Sequence, residues 1–369
     1  MSRATSGAMG GTLSAVTSPA KLCVLNATAI DAKYTSLAAQ LPSRGFDAAA
    51  LQASSRLFDD AEPPVPRRYS EPPWSLPSNA IRVLALPLSD DQLSDAPTRR
   101  LAQLAMHAAR DVASALPERS RLWLPPRASG LHATLFHPGL SPQFDTLGKL
   151  CNLPLPVPPA GCWQRAGLGA GSPSDGELGH EFRAARRLAA SMPSSLSFDV
   201  DRLVVTSSGV MLLLLRPRLQ GRAHASSSGG GSGGSSRSGE GAKAACVESL
   251  RAAAAAAFPR AARRQTSGLV HVSLLRVLSL PSPEAFGANS SAALAVLAVL
   301  ERWNAKLRGL RLHVTARGML YVRETQIMTL EGERFRMHFG AKSSSLGDVL
   351  AQGGTRTGYD LDRHDSQKA

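Results

Sequence analysis

Apolar positions along this chain change period, and the changes predict strands interleaved with helices. Residues 81–86 form an apolar run that predicts a strand. Between 98 and 116, Leu101, Leu104, Ala108, Val112 and Leu116 recur every three or four positions, an apolar stripe on a helix that Pro117 ends. A strand follows at 131–136, then a strand pair over 198–215 around Ser207, Ser208 and Gly209. An Ala-rich helix is predicted over 244–258, a strand over 269–278, a helix over 292–307, and a second strand pair over 310–323 around Ala316, Arg317 and Gly318. The interleaving points to an α+β domain.

Composition divides the chain further. Residues 1–75 are rich in Ala and Ser and carry a Pro cluster, and are expected to be a disordered N-terminal segment. Residues 152–175 form a Pro/Gly insertion, 221–242 a Gly/Ser linker, and 342–369 a polar tail expected to be flexible. These bounds place one domain at 76–341 that contains both insertions.

Two strings inside the predicted strands carry the candidate chemistry. Leu131, His132, Ala133, Thr134 and Leu135 form one; Val270, His271, Val272, Ser273 and Leu274 form the other. Residues i and i+2 of a strand share a face, so His132 sits beside Thr134 and His271 beside Ser273. If the strands meet, two imidazoles and two hydroxyls line one site, a set able to move protons while holding a phosphate. His-x-Ser/Thr occurs five times in all, at His132, His224, His271, His313 and His364. His224 opens the Gly/Ser linker and His364 lies in the polar tail, so neither sits in a strand.

The two strand pairs also align. Residues 203–211 match 312–320 without a gap, pairing Leu203 with Leu312, Val205 with Val314, Thr206 with Thr315 and Gly209 with Gly318. Each pair follows one histidine strand, so a duplicated unit of helix, histidine strand and hairpin is expected. His313 aligns with Val204 and falls in the hairpin, which removes it from the catalytic set.

With two His-x-Ser/Thr strands in a duplicated arrangement, residues 80–340 resemble the two-histidine phosphoesterases, the superfamily of RNA 2′,3′-cyclic phosphodiesterases and 2′-5′ RNA ligases. The resemblance rests on His132 to Leu135, His271 to Leu274 and the hairpin after each. It implies a bilobal fold with two antiparallel sheets facing a central cleft and helices outside. It also implies a metal-independent, cofactor-free phosphodiesterase with catalytic His132 and His271 and phosphate-binding Thr134 and Ser273. One imidazole would take the proton of an attacking water and the other would protonate the departing ribose oxygen. The implied substrate is a cyclic phosphate or 2′-5′-type linkage of RNA or a nucleotide. RNA end-joining by the reverse chemistry, or binding without turnover, are the competing readings. The separation of 139 positions between the histidines exceeds what a minimal member needs, and the two insertions account for the excess. Tyr321, Arg276 and Arg323 are further substrate-binding candidates that spacing alone does not select.

The net charge of +14 concentrates in the predicted domain. Residues 1–75 hold a net +1 and 342–369 are balanced, which leaves +13 between them. That excess suits a polyanionic partner such as RNA, while 5% aromatic residues argue against a broad base-stacking platform. Cys23, Cys151, Cys162 and Cys246 have no metal-ligand spacing. The first thirty residues hold no acid, two basic residues and many Ser, Thr and Ala. This pattern suggests an organellar transit peptide, chloroplast before mitochondrion, with the cytoplasm as the remaining alternative. No apolar run reaches membrane-span length, and a monomer is expected. The glycine string at 230–234 lacks the strand that a nucleophile elbow requires, and the one at 167–171 follows a proline-rich stretch and lacks the third glycine of a dinucleotide loop.

Overall fold

The computed structural model describes residues 27–72, 81–88, 94–138, 175–192, 196–218, 247–258, 269–314 and 318–339. Among them are helices α1 (Ala27–Arg44), α2 (Ala48–Ser55), α3 (Ala96–Ala115), α4 (Asp175–Ser191), α5 (Val247–Ala257) and α6 (Ser291–Leu307). The strands are β1 (Ile81–Pro87), β2 (Arg121–Trp123), β3 (His132–Phe136), β4 (Leu196–Val205), β5 (Val210–Pro217), β6 (His271–Ser279), β7 (Arg311–Val314), β8 (Gly318–Glu324) and β9 (Gly332–His338). The Pro/Gly insertion up to 174, the Gly/Ser linker, the tail and residues 1–26 lie outside the described residues.

The architecture is α+β with an antiparallel sheet. Its order is β7-β4-β5-β6-β3-β1-β8-β9, with β2 paired to β6 off this path. Two separate sheets were expected. The hydrogen bonding instead follows one path, and the four strands on each side of it meet at a single residue pair, Ala133↔Val272. One face of the sheet builds the main core: Leu84, Leu86, Ala133, Leu135, Leu213, Val272 and Leu274 join apolar residues of α3, α4, α5 and α6. The helices pack reciprocally across the junction. α3 follows β1 and packs on β6 and β7, whereas α5 follows β5 and packs on β3.

α3 forms as its stripe predicts. Asp95 caps it by accepting from Thr98 N at 2.9 Å, Pro97 occupies the first turn, and the helix stops before Pro117. The β4–β5 hairpin also forms, with Gly209 at φ +76° in its turn. A side chain there would collide with Leu51 Cδ2 at 2.5 Å and Val277 O at 2.8 Å.

The second expected hairpin does not form. β7 pairs with β4 at one edge of the sheet (Leu196↔Val314), while β8 pairs with β1 and β9 near the other. The alignment of 203–211 with 312–320 therefore reflects similar strand and turn composition, not similar pairing, and the unit expected from it fails.

The N-terminal boundary also differs. Residues 27–72, expected to belong to a disordered segment ending at 75, are part of the folded body. Ile30, Tyr34, Leu37 and Leu41 make one helical face of α1. Ile30 and Tyr34 pack with Val204, Leu212 and Leu214, with Leu37 alongside. The Tyr34 hydroxyl donates to Leu215 O at 2.7 Å and accepts from Val270 N at 3.2 Å. Phe46 and Leu51 join the main core, and Phe58 packs on Trp123 and Leu278. Beyond Phe58, Arg68 bridges to Gln326, and Tyr69 OH donates to Glu324 Oε2 at 3.2 Å. The segment thus contacts strands on both sides of the β3–β6 junction.

Candidate active site

β3 and β6 alternate buried and half-buried positions. Ala133 and Val272 are 1% and 0% exposed and face the core, so His132, Thr134, His271 and Ser273 point to the opposite face, where all four are half-buried. Antiparallel pairing of Ala133 with Val272 sets His132 across from Ser273, and Thr134 across from His271. The four predicted side chains therefore form one quadrilateral. In a regular antiparallel ladder directly opposed pairs have Cβ atoms about 5 Å apart and diagonal pairs roughly 7–8 Å, a spacing that fits one phosphate between two imidazoles.

The rest of this face follows from the registers. His271 neighbours Leu214, Ser273 neighbours Leu212, His132 neighbours Pro87, and Thr134 neighbours Ala85. From Ala85 the row continues to Leu320 and Arg336. Since Leu212 and Leu214 pack against α1, that helix lies on the histidine face and flanks the site.

The His132 ring is held by the short turn before β3. Its Nδ1 lies 2.9 Å from Gly130 O. A carbonyl only accepts, so Nδ1 carries the proton and Nε2 keeps its lone pair for proton transfer. Burial pushes His132 down to about 4; the Gly130 hydrogen bond opposes this and Arg334 reinforces it. Burial likewise pushes His271 down to about 4, with the charges of Arg251, His132 and Arg276 acting in the same direction. Both rings are therefore neutral at pH 7. A phosphate anion placed between them reverses that balance, because a nearby negative charge favours the imidazolium.

Among the further candidates, the structure separates Arg276 from the other two. Arg276 pairs with Val210 and Trp123 across a bulge after Ser273, and shares the face of Val210, Leu212 and the site. Its Nη1 donates to Ser54 Oγ at 3.4 Å, and its buried Nε has no hydrogen-bond partner among the described residues. Burial lowers its pKa to about 10, which leaves it a cation at neutral pH. Tyr321 and Arg323 lie on the opposite face. Tyr321 OH donates to Glu181 Oε1 at 2.7 Å, and Arg323 Nη1 pairs with Glu333 at 2.7 Å. His313 lies on edge strand β7, three strands from β6, and His137 lies just past the end of β3.

Sequence reasoning missed Arg334, Tyr34 and Arg251. Arg334 lies on β9, a strand that the apolar pattern did not mark, because Glu333, Arg334 and Arg336 break it. Arg251 had a legible signal: it shares the buried stripe of α5 with Val247, Leu250 and Ala254, where a charged residue needs a reason.

Among the described residues, no group of three or more His, Cys, Asp or Glu side chains is arranged to hold a metal ion, and no helix is long and apolar enough to cross a membrane. No protein-family model matches the chain, and no curated protein matches it. Among solved structures it is similar to the crystal structure of a conserved protein of unknown function from Agrobacterium tumefaciens strain C58. That protein is 14% identical over 70% of this chain and 85% of its own, with a TM-score of 0.37.

Proposed function

We propose that this chain is a two-histidine phosphoesterase that hydrolyses a cyclic phosphate, or a 2′-5′-type phosphodiester, of RNA or a nucleotide without a metal. The observation that carries this reading is the Ala133↔Val272 pair, which sets two imidazoles and two hydroxyls on one half-buried face. We further propose that the domain is bilobal and built from a duplicated unit, in a form different from the one the sequence suggested. The units are strand, helix and histidine strand: β1-α3-β3 and β5-α5-β6. Four strands of the main path on each side of the junction, with β2 added on β6, and the reciprocal packing of α3 and α5 support this division.

In the proposed reaction a water oxygen attacks phosphorus while one neutral imidazole takes its proton. The bond from phosphorus to the ribose 2′ or 3′ oxygen breaks, and the other imidazole, protonated in the anion's field, gives that oxygen a proton. Thr134 and Ser273 donate hydrogen bonds to the non-bridging oxygens, where negative charge grows. Arg276 and Arg334 add positive potential that attracts the anion.

The test uses the full chain and a short RNA ending in a 2′,3′-cyclic phosphate, with a chelator present. Ring opening is expected, with losses on the order of 10²- to 10⁴-fold for His132→Ala and for His271→Ala. Near-normal turnover by His271→Ala refutes the mechanism. Salt-sensitive binding of the RNA without turnover by the wild type replaces it with a binding role.

A further inference from the structure

The strands that carry the histidines share one backbone pair. Toward Leu135 and Leu269 a guanidinium takes the place of further strand pairing. Arg251, buried on α5, donates from Nε to Leu135 O at 3.1 Å, and from Nη2 to Leu269 O at 2.9 Å and Thr134 O at 3.4 Å. Leu135 and Thr134 belong to β3, and Leu269 leads into β6. The remaining arm, Nη1, pairs with Glu248 at 2.9 Å. A buried arginine is costly unless its donors are satisfied, and the planar fork suits carbonyls on two chains at once. A lysine ammonium, a single point, has no such fork.

We propose that Arg251 is a positioning residue of this site: by binding carbonyls of β3 and of Leu269, two residues before His271, it fixes the spacing of the histidine strands and holds a cation beside His271. The kinetic part of this proposal rests on the phosphodiesterase reading; the titration part does not. The charges acting on His271 are Arg251 from α5, His132 from β3 and Arg276 from its own strand. Glu248 partly offsets Arg251, and Tyr34 is within its electrostatic reach.

The experiment compares full-length Arg251→Lys, Arg251→Met and Glu248→Gln with wild type. The imidazole titrations of His132 and His271 are followed by NMR without substrate, and kcat and KM are measured on the cyclic-phosphate RNA. Removing the cation in Arg251→Met is expected to raise the His271 midpoint by about one pH unit. Glu248→Gln leaves Arg251 unopposed and lowers that midpoint. Arg251→Lys keeps the charge and loses the fork, so its midpoint stays near wild type while kcat falls on the order of tenfold with little change in KM. A His271 midpoint that neither Arg251→Met nor Glu248→Gln moves overturns the electrostatic role. Wild-type kcat in Arg251→Lys overturns the positioning role. If Arg251→Met fails to fold, Glu248→Gln decides the electrostatic role alone. A wild type without turnover refutes the phosphodiesterase reading, and the substrate-free titrations still test Arg251.

Discussion

Two neutral imidazoles at the centre of the proposed mechanism have a consequence for stability that needs no substrate. His132 and His271 are both pushed down to about 4 by burial, from an ordinary value of 6.5. Below pH 6.5 the unfolded chain protonates these histidines while the folded chain does not, so stability falls with pH until the folded rings also protonate near 4. Their contribution is therefore complete above pH 6.5 and lost on acidification. Linkage gives on the order of 1 kcal/mol for each ring between pH 7.5 and 5.5, and about 2–3 kcal/mol for the pair. Glu324 acts in the opposite direction. Burial raises it to about 7, against hydrogen bonds from Leu330 N and Tyr69 OH. Its contribution is full below about 4.5 and declines as pH rises through 7. It is present in wild type and histidine variants alike, so it cancels in a difference. The assay is urea unfolding of wild type and of the His132→Ala/His271→Ala double variant at pH 7.5 and 5.5. The variant is expected to lose about 2–3 kcal/mol less than wild type over that interval. Parallel losses would show that burial does not hold the imidazoles neutral below their ordinary pKa of 6.5, and would refute the shift assigned to both rings.

Binding of inorganic phosphate or a nucleotide cyclic phosphate at pH 6 should be accompanied by proton uptake, because the anion raises both rings; calorimetry in buffers of different ionisation enthalpy reads the number, and zero uptake contradicts the assignment. Thr134→Ala and Ser273→Ala should each slow turnover by about 10- to 100-fold, less than a histidine variant, with the loss in kcat rather than KM. A chain starting at residue 76 should fail to fold, as seen by circular dichroism. It lacks the buried Tyr34, Leu41, Phe46, Leu51 and Phe58, each contributing about 1.5–3 kcal/mol, a total comparable to the stability of a whole domain, about 5–15 kcal/mol.

The last of these predictions turns on a misreading with a definite cause. Across residues 1–75 an Ala/Ser-rich average composition conceals a pattern. Ile30, Tyr34, Leu37 and Leu41 stand at helical spacing, and Phe46, Leu51 and Phe58 continue the buried set, so this part of the fold was legible by period though not by composition. The β7–β8 error is of another kind. Residues 310–323 have the pattern of a strand, a turn and a strand, and both strands form. Their partners, β4 for β7 and β1 with β9 for β8, are chosen by distant segments that no local pattern names. β3 and β6 were recognisable for the same reason that β7 and β8 were, a local alternation. What made the histidine strands informative is that their polar positions bear one kind of chemistry, which suggested that they meet in space; that they meet by pairing in one sheet was not legible.

The single pair at the junction is also what gives the site its shape. Two strands paired along their full length hold their side chains on a continuous pleated surface, with water free to approach each one. Here β6 leaves β3 after Val272 and takes β2 as its partner at Trp123↔Arg276, while on the other side Arg251 occupies the gap between Leu135 and Leu269. The four polar side chains cluster where the strands diverge, half-buried beside α1, and this partial burial lowers both imidazoles. A site assembled this way depends on a short contact held by groups outside the sheet. Its vulnerable residues are then Arg251 and Tyr34, one bonded to carbonyls of β3 and of Leu269 before β6 and the other to Val270 and Leu215, more than any apolar residue under the sheet. A core substitution such as Leu274→Val should lower stability and leave the rate per folded molecule unchanged, because the spacing of the histidines is set by hydrogen bonds from Arg251 to backbone carbonyls and not by apolar contact. A fall in that rate matching the loss at Arg251→Lys would mean that the core, and not the guanidinium, holds the two strands in place.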